Sequence, residues 1–141
     1  MSLLTILLGL LAITAETPVA QVDLDESPDW SVIASDGVIA ELTRTPGVSG
    51  EALRLAFEFR QGSGFCVVRR PVAIDLSVNY RVSFRLRGEA PANNLELKLI
   101  DPANENVWWV NRRGFDFPAG WTPMVSRARH FEFAWGPSGG R

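Results

Sequence analysis

The sequence has few of the residues on which most enzyme chemistry depends. Its 141 residues include one cysteine, Cys66, one histidine, His130, and one lysine, Lys98. One cysteine excludes an intramolecular disulfide, and one cysteine with one histidine is not a zinc-ligand cluster. A nucleophile activated by a base would need His130 beside a serine or cysteine, and no spacing in the sequence places one there. We therefore predict that the chain is not an enzyme and that Cys66 is a small buried apolar residue.

The sequence also lacks an excess of charge of either sign. Its formal net charge is −2, and charged residues make up 21% of the chain against 46% hydrophobic residues. This composition is typical of a globular domain, and no basic cluster is large enough to indicate a nucleic-acid partner. The length fits one domain with its own core.

No apolar run is long enough to cross a membrane as a helix, which takes about 20 residues. The longest, residues 3–15, resembles the apolar region of a signal peptide, and the small residues ending at Ala20 resemble a cleavage site. No Lys or Arg precedes the run, so an uncleaved anchor or a misassigned start codon are the alternatives. We predict residues 1–20 as a signal peptide or membrane-proximal leader, residues 22–141 as the domain, and a secreted, periplasmic or cell-surface location without a transmembrane bundle.

Helical periodicity is absent after residue 21, and a two-residue alternation of apolar and polar residues takes its place. The alternation is strong in residues 52–60, 80–88, 94–101 and 130–135 and weaker in 36–42, 65–72 and 107–112. In the 130–135 segment it predicts Phe131, Phe133 and Trp135 on one face. Gly, Pro and Asn-rich turns separate the segments. The pattern predicts an all-β fold, an antiparallel β-sandwich or jelly roll.

Two adjacent tryptophans, Trp108 and Trp109, lie in one of these segments. Neighbouring side chains of a strand point to opposite faces, so one ring must leave the core. We predict Trp108 as the buried ring because Val110 shares its face, and Trp109 as the outward ring beside Asn111.

A polar sheet face with one of these rings is predicted if the strands starting at Tyr80, Leu95 and Val107 lie side by side. An aromatic ring covers the apolar face of a pyranose, and planar polar groups bond its hydroxyls. On residue types alone, a solvent-facing sheet with cross-strand ion pairs is the simpler explanation. The candidate ligand-binding residues are Trp108, Trp109, Arg85, Arg87, Glu96, Lys98 and Asn111.

Carboxylates offer two further hypotheses. A glycosidase needs two carboxyl groups about 5–10 Å apart, and sequence spacing does not show which acids converge. Oxygen-rich acidic turns are also typical calcium ligands. The candidate catalytic acids are Asp29, Asp36, Glu96, Asp101, Glu105 and Asp116, and the candidate calcium ligands are Asp23, Asp25 and Glu26.

Four segments in order, RLRGEAP, NLELKLID, NVWWVNRR and FEFAWGP, resemble a bacterial group of galactose-binding-like jelly rolls. These domains, of the discoidin or coagulation factor 5/8 type, are similar to family 11 carbohydrate-binding modules, and the resemblance covers Asp23 to the end of the chain. It implies a non-catalytic, glycan-binding jelly roll, often attached to a glycoside-processing protein, with a structural calcium ion near the chain ends. It also implies further strands after WGP, so we expect the sequence to be truncated at its C-terminus.

The function predicted from the sequence is therefore binding of a carbohydrate by a sheet face with an exposed tryptophan. The alternative is a structural or protein-interaction sandwich that packs through the same face against a neighbouring catalytic domain. No cofactor is expected apart from the calcium ion.

Overall fold

The computed structural model describes residues 4–15, 21–23, 29–76 and 78–139, and of the first two ranges it describes the backbone. The regular secondary structure of the described residues consists of β-strands and one short 3-10 helix, Ala128–His130. The strands are β1 Leu4–Ala15, β2 Gln21–Asp23, β3 Ser31–Ala34, β4 Val38–Pro46, β5 Glu51–Phe59, β6 Cys66–Arg69, β7 Tyr80–Glu89, β8 Asn93–Ile100, β9 Val107–Phe115, β10 Thr122–Arg127 and β11 Glu132–Trp135.

These strands form three antiparallel sheets. The large sheet has six strands, in the order β10-β7-β1-β5-β4 with β2 paired to β1, and the two small sheets have the orders β11-β9-β8 and β3-β6. The predicted all-β antiparallel class is therefore confirmed. The strong alternations correspond to β5, β7, β8 and β11, and the weaker ones to β4, β6 and β9.

The core lies between the large sheet on one side and the two small sheets on the other, which makes the fold a β-sandwich. Its buried centre comes from β5, β7 and β10, where each fully buried large apolar side chain stabilises the fold by about 1.5–3 kcal/mol. These central residues are Leu55, Phe57, Phe84, Leu86 and Met124, and Leu95, Leu97 and Phe115 of one small sheet and Val32, Cys66 and Val68 of the other pack against them.

β10 is a strand that the alternation did not predict. Only Met124 and Ser126 are buried in it, and Pro123 interrupts the pattern, so the segment has a loop-like composition. Proline cannot donate to a ladder and is tolerated on edge strands. β10 is such an edge strand, paired with β7 alone among the described strands.

The apolar run that resembles a signal peptide lies inside the large sheet. The backbone of β1 pairs with β5 on one side and with β7 on the other. A chain cleaved after Ala20 would lose this internal strand, so the leader prediction and the strand assignment require different mature chains. The N-terminal residue of the purified protein distinguishes them.

Candidate functional site

The outer face of the three-stranded sheet brings aromatic and polar side chains together. In the register of β8 and β9, Glu96 lies opposite Asn111 and Lys98 opposite Trp109. Trp135 of β11 adds a second ring, edge-on to Trp109 with the centroids 5.6 Å apart. We call these five residues the tryptophan face: Glu96, Lys98, Trp109, Asn111 and Trp135.

Trp108 and Trp109 lie on opposite faces of β9, as strand geometry requires. Trp108 is level with Leu99 and Phe133 across the sheet, and its ring centroid is 5.8 Å from that of Phe133. The predicted separation of the two rings onto opposite faces is confirmed, whereas the predicted contrast between a buried Trp108 and an exposed Trp109 is not seen. Both rings are half-buried. Trp108 therefore belongs to the packing between strands and not to the tryptophan face.

Trp135 was missed because a β-bulge reverses its direction. The alternation predicted Trp135 on the same face as Phe133, and this is wrong. The register shifts between Phe133, opposite Trp108, and Trp135, opposite Val107. A bulge inserts one residue and so turns the following side chain to the other face. The local signal is the next residue, Gly136, which has a φ of 135° that side chains rarely adopt.

Lys98 is held by a carboxylate and two aromatic rings. Its Nζ lies 2.8 Å from Oε2 of Glu96, 5.0 Å from the ring centroid of Trp135 and 5.8 Å from that of Trp109. Each cation–π contact at a partly exposed site contributes about 0.5–1 kcal/mol, and a surface ion pair about 0–1 kcal/mol. The contacts fix the ammonium and the carboxylate beside the rings before any ligand arrives.

Asn111 presents an unused acceptor on the same face. Its Oδ1 atom is buried and has no hydrogen-bond partner among the described residues. An unsatisfied buried acceptor costs about 1–3 kcal/mol. At the other end of the face the surface is apolar, since Ile100 and Trp135 flank Val107 and are 38% and 48% exposed.

Arg85 and Arg87 do not belong to the tryptophan face. Both lie on β7, which is in the large sheet, whereas Lys98 and Trp109 lie in the three-stranded sheet. The prediction that the three strands share one face is therefore wrong. Consecutive strands β7 and β8 belong to different layers, so their outer faces point away from each other across the sandwich.

Arg87 contacts a different tryptophan, Trp121, which was not among the predicted site residues. Its guanidinium carbon lies 5.0 Å from the ring centroid of Trp121, just before β10. The Arg87 Nε is buried and has no hydrogen-bond partner among the described residues. This contact joins the outer faces of β7 and β10.

The predicted calcium ligands are mostly beyond what the structure describes. Asp25 and Glu26 lie outside the described residues, and of Asp23 the backbone is described, paired with Ala12. Within the described ranges, no group of three or more His, Cys, Asp or Glu side chains is arranged to hold a metal ion.

The structure shows the surroundings of several titratable groups. Burial raises the pKa of the Cys66 thiol to about 11, so the thiol is protonated at neutral pH. Nδ1 of His130 accepts a hydrogen bond from the backbone N–H of Arg127 at 3.0 Å. Of the candidate acids, Glu96 is paired with Lys98, and hydrogen bonds led by that from the Asn106 side chain hold the pKa of Asp101 below its usual value.

In a comparison with known proteins, no family model, no curated protein and no solved structure matches this chain. Over the residues that the structure describes, no helix combines the length and apolar character needed to cross a membrane.

Proposed function

We propose that this chain is a non-catalytic carbohydrate-binding domain that takes an uncharged glycan on the tryptophan face. The observation that carries the proposal is the pair of perpendicular rings, Trp109 and Trp135, with the fixed Lys98 and Glu96 pair beside it. The resemblance of the four sequence segments to galactose-binding-like jelly rolls supports the same function.

The face combines the two kinds of contact that a sugar needs. The exposed part of Trp135 offers a flat apolar surface for the C–H face of a pyranose ring. The partly exposed Lys98 donates hydrogen bonds and the partly exposed Glu96 accepts them. Because contacts within the protein already hold the rings and the ion pair, ligand binding orders few side chains and loses little entropy.

The proposed domain acts outside the cytoplasm and delivers or retains a protein at a polysaccharide. Its partner is the glycan, and within a longer protein a neighbouring glycoside-processing domain would act on the same polymer. Binding alone is the proposed activity, and the carboxylate of Glu96 is paired with the ammonium of Lys98 at 2.8 Å.

A glycan array followed by titration calorimetry with the full chain tests this proposal. The expected result is binding of an uncharged oligosaccharide that falls at least about tenfold in Trp135→Ala, because a stacked ring and its burial supply more than 1.4 kcal/mol. Phe65→Ala is the matched control, since Phe65 is an exposed aromatic residue outside the face, 56% accessible. Equal loss in both variants, or no binding to any uncharged glycan, contradicts the proposal.

A protein-docking role is the second candidate, and the apolar row of Ile100, Val107 and Trp135 favours it. Two of these residues are more than a third exposed, and paired apolar residues of this kind are typical of interface cores. Hydrogen exchange of β9 and β11 in a longer natural protein distinguishes the candidates. Protection of these strands without added sugar, together with no affinity for glycans, indicates docking.

A further inference from the structure

The outer face of the large sheet carries a line of arginines along β7. The alternation that buries Val82, Phe84 and Leu86 turns Arg81, Arg85 and Arg87 outward, with Arg81 and Arg85 exposed. We call these three the arginine row. The rise of a strand places Arg85 and Arg87 about 7 Å apart and Arg81 about 14 Å beyond Arg85.

The positions across from the arginine row contain no acid. On β10, Arg81 faces Arg127 and Arg85 faces Pro123, and on β1 the register partners are Thr14, Gly9 and Leu7. Elsewhere among the described residues, Arg44, Arg60 and Lys98 form ion pairs with Glu51, Glu58 and Glu96. Like charges directly opposite each other in an antiparallel pair destabilise it. The residues paired across the strands therefore do not neutralise the row, and Glu89, exposed on the same face of β7, lies two residues after Arg87.

The guanidinium group of Arg87 is held against an aromatic ring, and an apolar surface lies beside the row. Arg87 is held over the ring of Trp121, and its buried Nε has no acceptor among the described residues. Between the arginines and the edge of the sheet, Pro123 and Val125 are exposed, Val125 to 43%. The surface thus offers guanidinium groups at intervals with apolar patches between them.

We propose that the arginine row binds a carboxylated polysaccharide lying along β7. The planar guanidinium fork matches a carboxylate, and groups spread over about 20 Å engage successive charges of one polymer, not one small anion. The apolar faces of the sugar rings lie on Pro123 and Val125. Nucleic acid fits less well, because the net charge of the chain is −2 and Arg87 already covers the Trp121 ring on which a base would stack.

This site is separate from the tryptophan face, since the two lie on different layers of the sandwich. The proposal does not depend on the binding of uncharged glycans. Trp135→Ala is therefore expected to retain binding of the carboxylated polymer. The same result is expected if the tryptophan face binds no uncharged glycan.

The test is binding of polygalacturonate by the full chain at low and physiological salt. The double variant Arg85→Gln with Arg87→Gln is expected to bind about tenfold more weakly, since each exposed charge pair contributes up to about 1 kcal/mol. Arg112→Gln with Arg113→Gln removes the same charge from exposed positions on β9 and is expected to change binding less than about twofold. Arg81→Gln, at an exposed position, weakens binding even if the Arg87 variant folds poorly, and urea midpoints show which variants are intact.

Four results overturn the proposal. They are no binding of polygalacturonate at low salt, equal weakening by the Arg112 and Arg113 variant, equal binding of the fully methyl-esterified polymer, and equal binding of poly-glutamate or single-stranded DNA at the same ionic strength. The last result indicates a general attraction of polyanions and not a site for a carboxylated sugar polymer.

Discussion

The side-chain amide of Asn106 donates a hydrogen bond to Oδ2 of Asp101 at 2.7 Å, across the loop that joins β8 to β9. The other carboxylate oxygen, Oδ1, accepts the backbone N–H groups of Glu105 and Asn106. On its opposite side, Asn106 Oδ1 accepts the N–H of Ser138 at 2.9 Å. One buried asparagine therefore ties the β8–β9 loop to the chain after β11 at one end of the sheet that carries the tryptophan face.

Replacing Asn106 should destabilise the fold and loosen this sheet. Asn106 is 7% exposed, so Asn106→Ala leaves the N–H of Ser138 without its acceptor and Asp101 without its amide donor. Such losses cost on the order of 2 kcal/mol. The urea midpoint measures the change, and the exposed Asn94→Ala, which keeps the loop intact, is the control. Equal midpoints for the two variants would contradict the role of Asn106.

The loop also makes stability depend on pH in acid. Hydrogen bonds, led by that from the Asn106 side chain, lower the pKa of Asp101 in the folded chain. The contribution of these bonds is therefore complete above the unfolded-state pKa and is lost as the pH falls through the folded-state pKa, a window that begins at about pH 4. The difference in urea midpoint between the natural chain and Asp101→Asn should shrink as the pH is lowered through this window. A difference that does not change with pH would be inconsistent with the lowered pKa.

Gly136 should not tolerate a side chain. Its φ is 135°, and a Cβ atom there would lie 2.5 Å from Oδ1 of Asn106 and 2.6 Å from the carbonyl oxygen of Glu105. Gly136→Ala is expected to cost about 2 kcal/mol or more through strain and displacement of the asparagine. Gly120→Ala is the matched control, because a Cβ at Gly120 meets nothing within 4 Å. Thermal unfolding of the two variants measures the contrast, and similar midpoints would refute the close approach.

Cys66 should react slowly with thiol reagents in the folded chain. Burial raises its pKa to about 11, so about one molecule in a thousand carries the thiolate at pH 8. The rate with a disulfide reagent should rise more than about a hundredfold in urea, where the thiol has its ordinary pKa. A native rate within a few fold of the unfolded rate would show that Cys66 is not protected.

Removal of β1 should disrupt the large sheet. β1 lies between β5 and β7 and pairs with both. In a chain that begins at Gln21, β5 and β7 would each have an unpaired edge beside the core. Its expected behaviour is aggregation or loss of cooperative unfolding, measured by light scattering and far-UV circular dichroism. A soluble, cooperatively folding chain that begins at Gln21 would show that β1 is dispensable, as the leader prediction requires.

Several features of the site follow from the sequence because they depend on neighbouring residues alone. The period of two in β7 and β8 determines which side chains share a face, and it separates Trp108 from Trp109 without any tertiary information. One histidine and one cysteine likewise exclude a zinc site built from a cluster of His and Cys before the fold is known. These properties depend on neighbouring residues, so they are the same wherever the strand lies in the fold.

Other features depend on which strands become neighbours, and no local pattern contains that information. Arg87 was predicted to share a face with Lys98 on the condition that their strands lie side by side, yet β7 and β8 lie in different layers. A bulge brings Trp135 to Trp109, and Arg87 meets Trp121 through pairing of β7 with a strand 32 or more residues away in sequence. The sequence by itself determined the β class, the faces of the strands and the chemistry available. The tertiary structure alone decided which faces meet, because pairing between distant strands depends on packing of the whole core.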